Sequence, residues 1–404
     1  MPTQWSDVPD NLRSDIDIAA DPALLSDPQG CMLAWAAAED RPLVFTPHNG
    51  GHWLIFSHDL AHRVLCDAQR FGSFPIGVPA NYQQRPRLIP LESGPEEHRR
   101  YRRLLIPVFH PDVVKKMESA VRSQAREVID RVAGRPTLDF LVDIAKPIPT
   151  RVFAEQMGLQ TEMLPQFYAW ENGFYRAPTL EERAACGQRI AEHLHAVVTE
   201  HTGRPATGDI VDLLLAAEVE GERLSSDEVQ AIAYLLFLAG IDTVATMLSF
   251  TALQLARDPG RYQALHDNPE QIGESIDEFL RFNAFISLNR ICEGDTELDG
   301  VLIRAGDNVV IPSAVTSRDP LAFPAPDEFS SKRSRSEQNQ HHAFGAGAHK
   351  CIGLHLAKLE VRVVLEEFCR RAKSIQLSPS GAVRGHGGTT MGLAAVPLDV
   401  EWVP

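Results

Sequence analysis

Cysteine is scarce and scattered in this chain: six residues, Cys31, Cys66, Cys186, Cys292, Cys351 and Cys369, with no CxxC pair among them. That excludes a disulfide-stapled scaffold and a zinc ribbon, and it fits a reducing compartment. Positive charge is in deficit too. A formal charge of -15 argues against nucleic acid as a partner. No basic stretch followed by an apolar core opens the chain; Met1-Pro2-Thr3-Gln4-Trp5-Ser6-Asp7 leads into acidic, polar sequence, so a cytoplasmic protein is expected. Repeats, low-complexity tracts and linker-like shifts are missing, which leaves one domain over residues 1–404, with 1–40 partly irregular, as the expectation. Long apolar runs are missing but for Ala231 to Leu255. Asp242, Thr243, Thr246, Ser249 and Thr251 interrupt it and its flanks carry no basic bias, so it reads as a buried central helix and no membrane is expected.

What is present gathers around Phe344-Gly345-Ala346-Gly347-Ala348-His349-Lys350-Cys351-Ile352-Gly353. Apolar residues at helical spacing follow (Leu354, Leu356, Ala357, Leu359, Val361, Val364), so a tight glycine loop feeds a buried helix. Gly345 and Gly347 permit positive φ, and Gly353 removes a side chain where a flat ligand would press. Cys351 is expected at the helix start, where free N–H groups favour a thiolate. A lone thiolate without partners at zinc spacing suits a metal whose other ligands come from elsewhere, and haem iron is the candidate. The alternative is a structural cysteine beside a turn.

Glu96 to Arg103 reads as a helix stopping at Pro107. His98 and Arg102, four apart, share one face and can reach a single anion, against the plain reading of a solvated basic surface. His52 to Ser57 reads as a strand, followed by a helix over Leu60 to Asp67. Phe71 to Pro90, with Pro75, Pro79 and Pro86 inside it, reads as a long loop of the kind that lines binding sites. Residues 110–220 read as mostly helical, with breaks near 134–136, 147–149 and 203–208. A capping box at Ser225 and Glu228 opens a helix to about Ala256, roughly 45 Å long. Gly240 and Asp242 inside it each cost stability. Either Gly240 makes a packing contact and Asp242 an ion pair, or the helix widens there for a diatomic ligand, with Asp242 and Thr243 as a proton route. Asn268 and Pro269 are expected to open the helix that carries Glu278 and Arg281. Val301 to Ile303 and Val309 to Ile311 are expected to form a hairpin, and Thr389 to Val396 a strand returning to the pocket.

The cysteine loop resembles the haem-ligand loop of the cytochrome P450 superfamily, Phe-Gly-x-Gly-x-His-x-Cys-x-Gly. The resemblance runs from about Trp53 to Pro397. Leu238-Ala239-Gly240-Ile241-Asp242-Thr243-Val244, Leu248-Ser249-Phe250 and Leu88-Ile89-Pro90 are similar to the soluble camphor-hydroxylating enzymes of bacteria. It implies a mainly α fold with small β-sheets and a long central helix over haem b. It also implies Cys351 as the axial thiolate, Phe344 and Gly353 beside the haem, and His98, Arg102, Arg290 and His349 on its propionates. Asp242 and Thr243 match the acid–alcohol pair that delivers protons. Glu278 and Arg281 match a structural lock whose usual third member, an arginine in Pro-x-Arg-Phe, is replaced here by Pro326-Asp327-Glu328-Phe329.

The activity implied is a monooxygenase that hydroxylates an unactivated C–H bond with O2. Its electrons would come from an NADH-dependent reductase by way of a 2Fe-2S ferredoxin docking at Arg99, Arg100, Arg102, Arg103 and Lys350. Pro86, Gly77 and Leu288 stand where the camphor enzymes carry a tyrosine, an aromatic and an acid, which implies a roomier pocket. Leu235, Leu238, Ala239, Ile286, Leu288, Thr389 and Thr390 are its expected lining, and a monoterpenoid or norisoprenoid its expected substrate. A monomer is expected. A peroxide-driven haem-thiolate peroxygenase and a non-catalytic haem gas or ligand carrier are the rival readings.

Overall fold

The helix Ser226–Arg257 runs through the middle of the chain's packing, 32 residues opened by the reciprocal Ser225/Glu228 capping box that the sequence predicts. The computed structural model describes residues 1–78, 85–177, 179–219 and 221–403; the 79–84 part of the expected Phe71 to Pro90 loop, Pro79 included, lies outside the described residues. A helix that is apolar all round must be covered all round. Here the covering is protein: Pro147–Gln156, Leu180–Gly203 and Leu354–Arg371 all pack on it, and 78% of its apolar window is buried.

Two apolar cores divide the central helix between them. Val229 to Ile241 belong to one, with Leu194, Val198 and Phe237, and Val244 to Ala256 to the other, with Val361, Val364 and Phe368. The seam between the cores falls at Gly240 to Thr243. Gly240 is glycine for a packing reason. A Cβ there would sit 2.3 Å from the Phe153 ring, and the helix runs through this point without interruption. The helix is continuous here and Gly240 makes the packing contact, so the widening is not formed.

Five strands make the principal sheet in the order Leu43–Thr46, His52–Ile55, Asn308–Pro312, Ser287–Cys292, Phe71–Gly72. The hairpin expected between Val301 and Ile311 does not form. Val301–Ile303 pairs back on Thr296–Leu298, whereas Asn308–Pro312 lies between two other strands, parallel to His52–Ile55 and antiparallel to Ser287–Cys292. Val309, Val310 and Ile311 are all fully buried. An uninterrupted apolar strand belongs inside a sheet covered on both faces, which a small surface hairpin cannot offer. Pro147 begins the helix Pro147–Gln156 instead of only breaking the chain, and the expected Asn268 cap is displaced. Asn268 ends the preceding helix and accepts the Gln271 N–H in a turn, so the next helix is Gln271–Phe282.

That helix carries the lock, and its third member is now visible. Arg281 donates from Nε and Nη2 to Glu278 at 2.8 Å each and from Nη1 to the carbonyls of Ser317 and Pro326. Arg333 closes the set with Nε 3.0 Å from Glu278 Oε1.

Candidate functional site

Gly345 and Gly347 both take positive φ, +67° and +68°, so the loop before Cys351 coils in the left-handed region. Gly347 has a second reason to lack a side chain: a Cβ would stand 2.5 Å from the Leu65 carbonyl. The coil brings the Cys351 N–H to the Phe344 carbonyl at 2.9 Å. The helix starts only at Leu354, so Cys351 lies ahead of its first turn, not in it. Cys351 is exposed to a cavity that lies inside the protein. Burial pushes the thiol up, against the Gly353 N–H and the Arg102 charge that pull it down. The helix terminus therefore does not activate the free thiol as expected, and a metal cation bound here would favour the thiolate.

The cavity holds about 310 Å³. At one end stand His98, Arg102 and His349, with the His98 and His349 rings 4.0 Å apart. Arg290, 3% exposed, lies close enough to depress both histidines. Burial, then Arg102 and Arg290, take His98 down to about 4; burial, then Arg290, His98 and Arg102, take His349 down to about 3. Burial brings Arg290 itself down to about 10. Among the described residues no carboxylate is bonded to any of the four, and Arg290 Nε and His349 Nδ1 are buried without a hydrogen-bond partner. Uncompensated buried cations are costly, so this end of the cavity is built for an anion.

The far wall is the central helix. Leu235, Ala239 and Thr243, at four-residue steps, face the cavity together with Val244 and Met247. Thr243 Oγ1 donates to the Ala239 carbonyl at 2.8 Å, which leaves its oxygen free to accept. Asp242 points the other way, into an ion pair with Arg176 at 2.7 Å. Ile286, Leu288, Phe344 and Gly353 also line the cavity as expected. Leu238, Gly77, Pro86, Thr389 and Thr390 do not. Leu238 turns to the core on the opposite flank of its helix, because neighbouring residues point about 100° apart. Gly77 N–H is bonded to Asn289 Oδ1, the Pro86 carbonyl accepts from Arg85, and Thr389 Oγ1 accepts the Val78 N–H at 2.7 Å. Thr390 bridges to Ile286 by main chain. Among residues the sequence did not mark, Glu360 lines the cavity, and burial alone pushes its carboxyl well above the usual range.

A model of the family described as cytochrome P450 matches residues 151–374. The chain belongs to the cytochrome P450 family. It is 29% identical over 399 residues to probable cytochrome P450 127A1 of Sinorhizobium fredii, across 97% of this chain and 95% of that protein. Two crystal structures superpose on nearly all of it. CYP101J2 has a TM-score of 0.88 at 30% identity over 99% of this chain and 100% of that one, and CYP101C1 a TM-score of 0.90 at 27% identity with the same coverage. The fold, the monooxygenase class and haem with a cysteine thiolate ligand follow for this cytochrome P450.

Haem fits what the structure offers. Its propionates are the anions that His98, Arg102, Arg290 and His349 lack, its ring needs the largely apolar middle of the cavity, and its iron needs the sulfur that opens onto it.

Proposed function

We propose that this cytochrome P450 hydroxylates an unactivated C–H bond of a compact apolar compound, of monoterpenoid or norisoprenoid kind, with electrons from a 2Fe-2S ferredoxin. One observation carries the reading: Cys351, Thr243 and the cationic end open onto a single cavity whose remaining walls are chiefly hydrocarbon. Cys351 would hold the haem iron through its thiolate, and haem so bound would supply the binding and activation of dioxygen. His98, Arg102, Arg290 and His349 neutralise the propionates and fix the ring's orientation. Thr243 would offer its hydroxyl to the cavity as the proton-donating group, and Asp242 would bring protons to it from the Arg176 side. Leu235, Ala239, Ile286 and Leu288 offer no donors, so they position the substrate by shape and keep bulk water out.

Ferredoxin docking rests on fewer cations than the sequence suggests. Arg102 is turned inward, donating to the Lys350 carbonyl, and Arg100 is 3.5 Å from Glu228. Arg99 and Arg103 are exposed and Lys350 is half-buried, and these three form the proposed contact for an acidic ferredoxin.

A panel of monoterpenoid and norisoprenoid compounds, reconstituted with ferredoxin, reductase and NADH, tests the whole. At least one compound is expected to shift the ferric spin state and gain one oxygen atom from labelled dioxygen, with reduction slowing several-fold between about 50 and 200 mM salt. A panel with no spin shift and no product removes the substrate class, and salt-independent reduction removes the docking surface.

Arg290 gives a test that separates binding from folding. Arg290→Leu is expected to raise the thermal midpoint of the apoprotein, because an unpaired buried charge is gone. Haem transfer to a scavenging globin is expected to quicken by about tenfold or more, because a charged hydrogen bond is lost. Unchanged haem transfer contradicts the propionate assignment.

A further inference from the structure

Asp242 does not stand alone behind Thr243. Arg176, the last residue of the helix Leu164–Arg176, spreads its guanidinium over three groups from three parts of the chain. Nη2 donates to Asp242 Oδ2 at 2.7 Å, Nη1 to Glu171 Oε1 at 3.3 Å, and Nε to His386 Nε2 at 2.9 Å. Asp242 and Glu171 are 3% and 1% exposed, so one cation faces two buried carboxyl groups. Both cannot ionise cheaply around a single positive charge. Burial, then Asp242, push Glu171 up to about 8, which makes it the neutral member at pH 7.

The two carboxyl groups compete for the same guanidinium, and its planarity decides the competition. Once the direction of the Nε–H is fixed, the directions of the other N–H groups are fixed with it. His386, closing the strand Arg384–His386, accepts that Nε–H. To accept at Nε2 the ring must carry its proton on Nδ1, and the Gly387 carbonyl stands 3.4 Å from Nδ1 to receive it. Burial, then Arg176, hold the imidazole down to about 4, so it stays neutral and remains an acceptor. The partner strand presses on the ring. A Cβ at Gly392 would lie 2.7 Å from His386 Nε2 and 3.6 Å from Thr246 Cγ2, and Thr246 Oγ1 is itself 3.4 Å from Asp242 Oδ2. The segment joining the two strands is tied to the cavity wall, with the Met391 N–H on the Phe285 carbonyl at 3.2 Å and Thr390 bridged to Ile286.

We propose that His386 is a positioning residue for oxygen activation: by taking the Nε–H of Arg176 it keeps the guanidinium turned so that Asp242 receives the short bond and Glu171 the long one, and it links that clamp to the strand pair whose connecting segment is bonded to the cavity wall. This rests on Asp242 being the proton relay.

The test uses the reconstituted holoenzyme and the panel compound with the largest spin-state shift. His386→Leu removes the acceptor, and His386→Gln offers an amide oxygen in its place. His386→Leu is expected to lower turnover about tenfold and raise the solvent isotope effect on kcat, with KM and the reduced CO spectrum unchanged. His386→Gln is expected within about twofold of the parent, and His386→Leu is expected to add nothing once Asp242→Asn is present. Should His386→Leu fold poorly, His386→Ser, too short to reach Arg176, replaces it. Parent-like turnover and isotope effect in His386→Leu, beside a slow Asp242→Asn, overturn the role of His386 alone, as does a glutamine variant as slow as leucine. A parent-like Asp242→Asn overturns the relay beneath it.

Discussion

Glu278→Ala is expected to cost about 3–5 kcal/mol of stability, among the largest losses a single substitution can give. The reason is what it strands. Arg281 and Arg333 have side chains 0% and 5% exposed, and Glu278 at 1% is the carboxylate between them. Glu278 also accepts the Ser330 N–H at 2.9 Å, while Arg281 holds the Ser317 and Pro326 carbonyls, so the set ties one helix to the segments on both sides of the approach to the cysteine loop. Removing the carboxylate leaves two buried guanidinium groups without an anion, and water cannot reach them. A surface pair is the control. Lys373 and Glu401 are each more than half exposed, and Glu401→Ala is expected to leave the urea midpoint close to that of the parent. Urea unfolding followed by haem absorbance measures both. Equal losses in the two variants contradict the reading of the lock.

Thr243→Ala is expected to leave NADH consumption close to normal and to cut product per NADH by about 10²-fold, with hydrogen peroxide released in its place. Thr243 is the hydroxyl on the cavity wall of the central helix, and among the described residues its side chain bonds only back to the Ala239 carbonyl, so its removal disturbs no packing that the helix depends on. On the proposed function, what it removes is the group that would pass a proton to reduced dioxygen before peroxide can leave. Product and peroxide assayed together distinguish the cases. Unaltered coupling would favour the peroxide-driven rival, for which Asp242 and Thr243 have little use.

Much of this was legible in the sequence because it is local. The cysteine loop, the His98/Arg102 step, the Ser225/Glu228 box and the Glu278/Arg281 pair each lie within ten residues, and helical geometry or turn chemistry brings their members together unaided. The partners that sequence missed are far away along the chain. A buried Asp242 demands a cation, but nothing near it points to Arg176, 66 residues earlier. Arg333 escaped because it stands four residues after Phe329 instead of before it, reaching Glu278 from a different turn of the meander. The substrate wall failed for a different reason. Leu238 and Ala239 are neighbours in sequence and opposites in space, and the Thr389 hydroxyl is taken up by main chain of the long loop. The hairpin expectation failed because a parallel pairing with His52–Ile55 leaves no trace in local sequence.

The absorption spectrum of the reduced, CO-bound protein tests the bond between Cys351 and iron most directly. The parent is expected to show the strongly red-shifted Soret band of thiolate ligation, and Cys351→Ala to lose that band together with all turnover. A parent spectrum without the red shift, or a Cys351→Ala protein that keeps it, would contradict the assignment of the sulfur on which every role proposed for the cavity depends.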